Sequence, residues 1–188
     1  RILSDHISTV LFCPTTTAVH NLKKEGFCLE NNGKATLDHP HVELCGDIMY
    51  DNSLFFSTKS NEKSTILNQV GISGKNYILV TIHRNANTDD SNRLTSIMNA
   101  LLYVQNTTGY EVVLPIHPRT AKLMEQQLPA DVYGMVQENK SFHIIPPAGF
   151  LDIIALEKNA VLLVTDSGGL QKEAYFFKKP CVILRPET

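Results

Sequence analysis

Tyr77-Ile78-Leu79-Val80-Thr81-Ile82 is the stretch that decides the fold class of this chain. It is apolar on both alternate sets and rich in β-branched residues, as expected for a strand covered on both faces. Downstream, Asn87-Thr88-Asp89-Asp90 is a cluster of N-cap and first-turn residues. Leu94, Ile97, Met98, Leu101 and Leu102 follow at helical spacing and form one apolar stripe, which Gly109 ends. The alternation then repeats. Strands are expected over 110–116, 142–145, 160–164 and 181–184. Helices are expected over 120–128, closed by Pro129, and over 150–158 and 168–178. Alternating β and α units with short connections imply an α/β fold, a Rossmann-like parallel sheet flanked by helices.

Upstream the pattern is less regular. A short strand is expected over 9–12, a helix over 15–25 ended by Gly26, and a strand over 41–44 before Gly46. Helices over 47–57 and 62–70 lead into the regular part. The change of pattern near Gly46 suggests a domain boundary between residues 46 and 47. Arg1 is not a start methionine, and Cys181 to Leu184 reads as a core strand with nothing after it. Both ends therefore read as cut from something longer.

Composition narrows the function classes. The chain has 188 residues, 43% of them hydrophobic, ample for a core and against disorder. Its formal charge of −2 argues against nucleic-acid binding by bulk charge. No window approaches the roughly 20 apolar residues of a membrane span. Four cysteines without a CxxC pair imply free thiols in a reducing compartment, hence a cytoplasmic protein.

In doubly wound sheets, ligands bind at the carboxyl ends of the strands. Three such ends are polar: Thr81-Ile82-His83-Arg84-Asn85-Ala86-Asn87, Pro115-Ile116-His117-Pro118-Arg119-Thr120 and Thr165-Asp166-Ser167-Gly168-Gly169. In the third, a strand runs into two glycines and a helix. Backbone N–H groups there approach an anion closely, the helix dipole adds positive potential, and Ser167 adds a hydroxyl. That suits a phosphate or pyrophosphate. Glu173 lies about 9 Å further along the helix axis, where a carboxylate reaches both hydroxyls of a ribose. The alternative is that Asp166 or Ser167 only caps the helix, and the residues alone leave both readings open.

His83 and His117 end strands on the same presumed edge, where either can donate to phosphate or act as acid or base. Gly71-Ile72-Ser73-Gly74-Lys75 is too short for a P-loop and precedes a strand, so it reads as a polar loop. His39-Pro40-His41 has no third ligand nearby and reads as a turn, so no metal site is expected.

The motifs in this order resemble the non-hydrolysing UDP-N-acetylglucosamine 2-epimerase family. The matching segments are Val80-Thr81-Ile82-His83-Arg84 with Asn87, Leu114-Pro115-Ile116-His117-Pro118-Arg119, and Thr165-Asp166-Ser167-Gly168-Gly169 through Glu173-Ala174. Lys179 to Arg185 and the segment Arg1 to Thr15 match as well. The resemblance implies a GT-B-like fold of two Rossmann-like domains, with 1–46 closing the first and 47–188 forming the second, UDP-binding one. It implies that Ser167, Gly168 and Gly169 bind the diphosphate and Glu173 the uridine ribose. His83 would contact the diphosphate or assist its departure, and Arg84 and His117 would join the UDP site. The loop from Ala148 to Ile153 would line the uracil pocket, mainly through backbone groups.

Such enzymes invert C2 by eliminating UDP to a glycal and adding it back, with no metal or redox cofactor. The parent would be a cytoplasmic homodimer serving polysaccharide biosynthesis. Two points do not carry over. Ala86 stands where the family often has Glu, and the proton-transferring carboxylates would lie upstream of Arg1. The chain alone is therefore expected to be inactive. The alternatives are a GT-B glycosyltransferase using a UDP-sugar and a non-catalytic module that binds a nucleotide sugar.

Overall fold

The structure, a computed structural model, describes residues 1–31 and 33–186. The chain divides into two compact units, the first ending at Asn52 and the second beginning at Ser53.

The first unit holds α1 (Ile2–His6), β1 (Val10–Cys13), α2 (Thr16–Lys24) and β2 (His41–Leu44). The two strands pair in parallel, with Val10 opposite His41 and Cys13 opposite Leu44. Leu11, Cys13, Leu22 and Val42 form their common core, with Val19 and Phe27 packed against it. The Thr15 hydroxyl accepts the Ala18 N–H at 3.2 Å and so caps α2. Gly26, at φ +95°, turns the chain just beyond the helix end, a conformation glycine adopts without strain.

The boundary expected at residues 46 and 47 differs from the observed division by six residues. Gly46 does turn the chain at φ +82°, but α3 (Ile48–Lys63) then runs unbroken across the division. The sequence suggested a break between residues 57 and 62, and none occurs there. The break comes at Ser64 and Thr65, before α4 (Ile66–Val70).

The second unit contains β3 (Tyr77–Thr81), α5 (Asn85–Thr88), α6 (Ser91–Thr108), β4 (Glu111–Pro115) and α7 (Pro118–Gln127). It continues with α8 (Ala130–Glu138), β5 (Phe142–Ile145), α9 (Phe150–Asn159), β6 (Leu162–Thr165), α10 (Gly168–Phe176) and β7 (Cys181–Ile183). All five strands are parallel, in the order β5-β4-β3-β6-β7. The chain winds one way from β3 to β5, then returns to the other side of β3 for β6 and β7. The point of reversal lies between β3 and β6.

Alternate residues of β3 feed two cores. Ile78 and Val80 join Leu94, Met98, Val112, Leu114 and Met124 on one face. Tyr77 and Leu79 join Val113, Leu156, Leu163 and Ala174 on the other. This two-sided burial is what the apolar run at 77–82 implied. Two elements differ from expectation. Asn87 and Thr88 are not caps but buried residues at the end of α5, and Asp90 alone caps α6 by accepting the Arg93 N–H at 3.1 Å. Pro129 closes one helix and also opens another: Val132 and Val136, one turn apart, bury α8 against the sheet. Among the described residues, no helix is long and apolar enough to cross a membrane. All four cysteines are free.

Candidate functional site

β3 and β6 end level with each other, Thr81 opposite Thr165. The two hydroxyls share a hydrogen bond of 2.7 Å. The segments that follow, His83-Arg84 and Asp166-Ser167-Gly168, therefore leave the sheet side by side at the point of reversal. Open α/β sheets hold ligands at such a point.

Asp166 ties the two segments together. It has no exposed surface. Its carboxylate accepts the backbone N–H of His83 at 3.1 Å, that of Arg84 at 2.9 Å and the Asn87 amide at 2.9 Å. It also meets His83 Nδ1 at 2.8 Å. With Nδ1 held by a carboxylate, the imidazole presents Nε2 outward, and the His83 side chain is 58% exposed. Arg84 Nε donates to the Asp166 carbonyl at 2.7 Å, and the rest of this exposed residue faces solvent. Asn87 also donates to the Leu184 carbonyl at 2.9 Å, which joins the segment after β7 to the same network.

At the start of α10, the Ser167 hydroxyl accepts the Leu170 N–H at 3.4 Å. The capping role is thus present, and it coexists with an open helix start. The N–H groups of Gly168 and Gly169 precede the first intrahelical bonds and belong to the orphan donors of a helix N-terminus. A side chain at Gly168 would meet the Arg185 guanidinium, with Nη2 3.4 Å from the position of a Cβ. Glycine thus lets a cation lie against the positive end of a helix. Arg185 Nε is buried and has no partner. An anion placed there receives backbone donors, a guanidinium and the helix dipole together.

Glu173 lies one and a half turns along α10, half-buried, and burial pushes its carboxyl above the usual range. His117 stands at the end of β4, exposed. Its Nδ1 accepts the Arg119 N–H at 3.3 Å, which caps α7 and leaves Nε2 as the outer donor. Arg119 reaches Asn85 at 3.0 Å and Asp89 at 2.6 Å, so the end of β4 is fastened to α5. Ile153 takes a packing role: its side chain lies against the core below α9, and its N–H donates to the Gly149 carbonyl at 2.8 Å. Ala148 and Gly149 instead line a cleft of about 690 Å³ with Ile66, Gln69, Val136 and Asp152.

Two residues of this arrangement were not singled out by sequence reasoning. Asp166 read there only as a cap, because nothing in a sequence shows four donors converging on one carboxylate. Arg185 was quoted in a matching segment without a role, because its place beside Gly168 depends on the pairing of β6 with β7.

The family profile described as UDP-N-acetylglucosamine 2-epimerase matches residues 1–188. A UDP-N-acetylglucosamine 2-epimerase homolog of Methanococcus maripaludis is 42% identical over all of this chain and 48% of its own length. The UDP-2,3-diacetamido-2,3-dideoxy-D-glucuronate 2-epimerase of Pseudomonas aeruginosa is 43% identical over all of this chain and 47% of its own length. Among solved structures, the UDP-GlcNAc 2-epimerase of Methanocaldococcus jannaschii in complex with UDP-GlcNAc and UDP superposes with a TM-score of 0.79 at 34% identity. That match covers all of this chain and 48% of the other. The chain spans about half the length of the relatives it matches.

Proposed function

Because the chain belongs to the UDP-N-acetylglucosamine 2-epimerase family, we propose that it carries the uridine diphosphate site of a UDP-sugar 2-epimerase about twice its length. The parent interconverts UDP-GlcNAc and UDP-ManNAc, or a related 2-acetamido sugar. The second unit belongs to the nucleotide-binding domain of a GT-B-like fold, and the first to the other Rossmann-like domain.

The observation that carries this reading is the open start of α10 beside Arg185, next to an imidazole held by Asp166. In the proposed reaction a base takes the C2 proton while the bond from C1 to the diphosphate oxygen breaks. The electron pair leaves with UDP. Re-addition of UDP to the glycal, with protonation on the other face, gives the inverted sugar. Negative charge thus develops on the departing diphosphate, and preorganised donors aimed at it lower the barrier. The Gly168 and Gly169 N–H groups, Arg185, Arg84 and His83 Nε2 are those donors. Ser167 closes the helix start, Glu173 accepts the ribose hydroxyls, and His117 supplies an outer donor from the neighbouring strand. The loop at Ala148 and Gly149, with Ile153 packed behind it, faces the base.

The test is to incubate the parent protein with UDP-GlcNAc alone. An epimerase produces UDP-ManNAc without an acceptor, whereas a glycosyltransferase or a binding module leaves the sugar unchanged. His83→Ala is expected to lower that turnover roughly 100-fold. The 43% identity to the Pseudomonas relative favours a second reading of the sugar, a 2,3-diacetamido uronate. Running both UDP-sugars in parallel decides between them. The same reading makes the parent a cytoplasmic homodimer that supplies polysaccharide precursors.

A further inference from the structure

Thr165 lies between the segments that carry the nucleotide site, and its polar atoms reach all of them. It is the last residue of β6 and has no exposed surface. Its hydroxyl accepts the Ser167 N–H at 2.9 Å and shares a 2.7 Å hydrogen bond with the Thr81 hydroxyl at the end of β3. Its carbonyl accepts the Leu184 N–H at 2.8 Å, one residue before Arg185. A threonine hydroxyl donates once and accepts twice, and buried polar groups are normally paired. Among the described residues, the acceptor within reach of the Thr165 proton is Thr81 Oγ1, so Thr165 is the donor of that pair. A side-chain oxygen that takes the N–H two residues on does the work of a backbone turn. The Thr165 hydroxyl thus clips the turn at Asp166 and Ser167 to the end of β3. With the Ser167 N–H satisfied inside the protein, the N–H groups of Gly168 and Gly169 are the next along the chain, and they open the helix.

We propose that the Thr165 hydroxyl is a positioning group for the diphosphate. By holding the Ser167 N–H and anchoring on Thr81, it sets the turn from which Gly168 and Gly169 present their N–H groups to the ligand. Thr165 does not touch the substrate. The inference rests on the reading that the start of α10 holds the diphosphate.

The experiment compares the affinities of UDP and uridine, which lacks the diphosphate, for the parent protein and three variants. Thr165→Val keeps the shape of the side chain and leaves the Ser167 N–H without its acceptor. It is expected to weaken UDP about tenfold and to leave uridine unchanged. Thr165→Ser, which keeps the hydroxyl, is expected to restore UDP affinity. Equal weakening of both ligands by Thr165→Val marks a merely structural role and overturns the proposal. No weakening of UDP, or a serine variant that folds normally yet binds UDP no better than the valine variant, overturns it too. Thr81→Val removes the other half of the hydroxyl pair at a half-buried position, and serves if Thr165→Val does not fold. It is expected to weaken UDP alone and to a smaller extent, and a change in both ligands or in neither overturns the proposal. The unaltered parent protein is the separate control. If it binds uridine as tightly as UDP, the diphosphate reading itself has failed. If its preference for UDP is present and Thr165→Val leaves it intact, only the role of Thr165 has failed.

Discussion

At the scale of single residues, Asp166 has the most to lose by substitution. Its buried carboxylate takes two backbone N–H groups and the Asn87 amide, and holds the His83 ring. Asp166→Asn keeps the shape but turns an NH2 group towards those donors. The expected cost is about 1–3 kcal/mol of folding stability, the range for buried groups left unpaired. Urea denaturation measures it, and in the parent protein a loss of the proposed epimerase turnover beyond the unfolded fraction reports the freed imidazole. The sequence placed His83, His117, Ser167 and the two glycines at strand ends on one edge of a sheet and Glu173 along the helix that follows, and the structure brings His83 and Ser167 to adjoining segments. It could not rank them. Ser167 reads equally as cap or ligand because one hydroxyl serves both.

At the scale of elements, the start of α10 separates stability from binding. Gly168 lies in a helix, where alanine is favoured over glycine by up to about 1 kcal/mol. The added Cβ would meet the Arg185 guanidinium at 3.4 Å, a van der Waals contact with the end of a flexible side chain, without touching the core. Gly168→Ala is therefore expected to melt no lower than the unaltered protein yet to bind UDP about tenfold more weakly, because the methyl group takes up space between the guanidinium and the N–H groups that an anion would fill. Scanning calorimetry and titration calorimetry on the same samples check both halves. Unaltered UDP affinity would remove this helix start from the diphosphate site. The strands were legible because their apolar runs are continuous and turn signals bound them. α8 was not, because Pro129 ends one helix and suits the opening of the next equally well. Nor was α5, a single turn too short to show periodicity.

At the scale of the whole molecule, alternation of β and α predicts a parallel sheet, but the order β5-β4-β3-β6-β7 is a property of the assembled sheet. No local pattern records which side of β3 the chain returns to. The same assembly buries Glu157, and this has a consequence for stability. The group keeps its proton in the folded protein up to about 9 and loses it in the unfolded chain near the ordinary value of 4.5. The folded state therefore binds more protons between those limits. The stability contributed by Glu157 is fully present below about pH 4.5 and is lost as pH rises towards about 9, with a slope of at most about 1.4 kcal/mol per pH unit. Glu111 acts at the other end. Burial pushes it up, but the hydrogen bonds and charges of Lys75 and His143 outweigh burial and hold it below its ordinary range. Its contribution is present above the unfolded value and fades as pH falls through the folded one. Stability is thus expected to decline on the alkaline side through Glu157 and on the acid side through Glu111. Glu157→Gln, which does not titrate, is expected to flatten only the alkaline decline. Urea midpoints at about pH 6 and about pH 8 test this directly: a variant whose two midpoints differ as much as those of the unaltered protein would show that Glu157 is ionised in the fold.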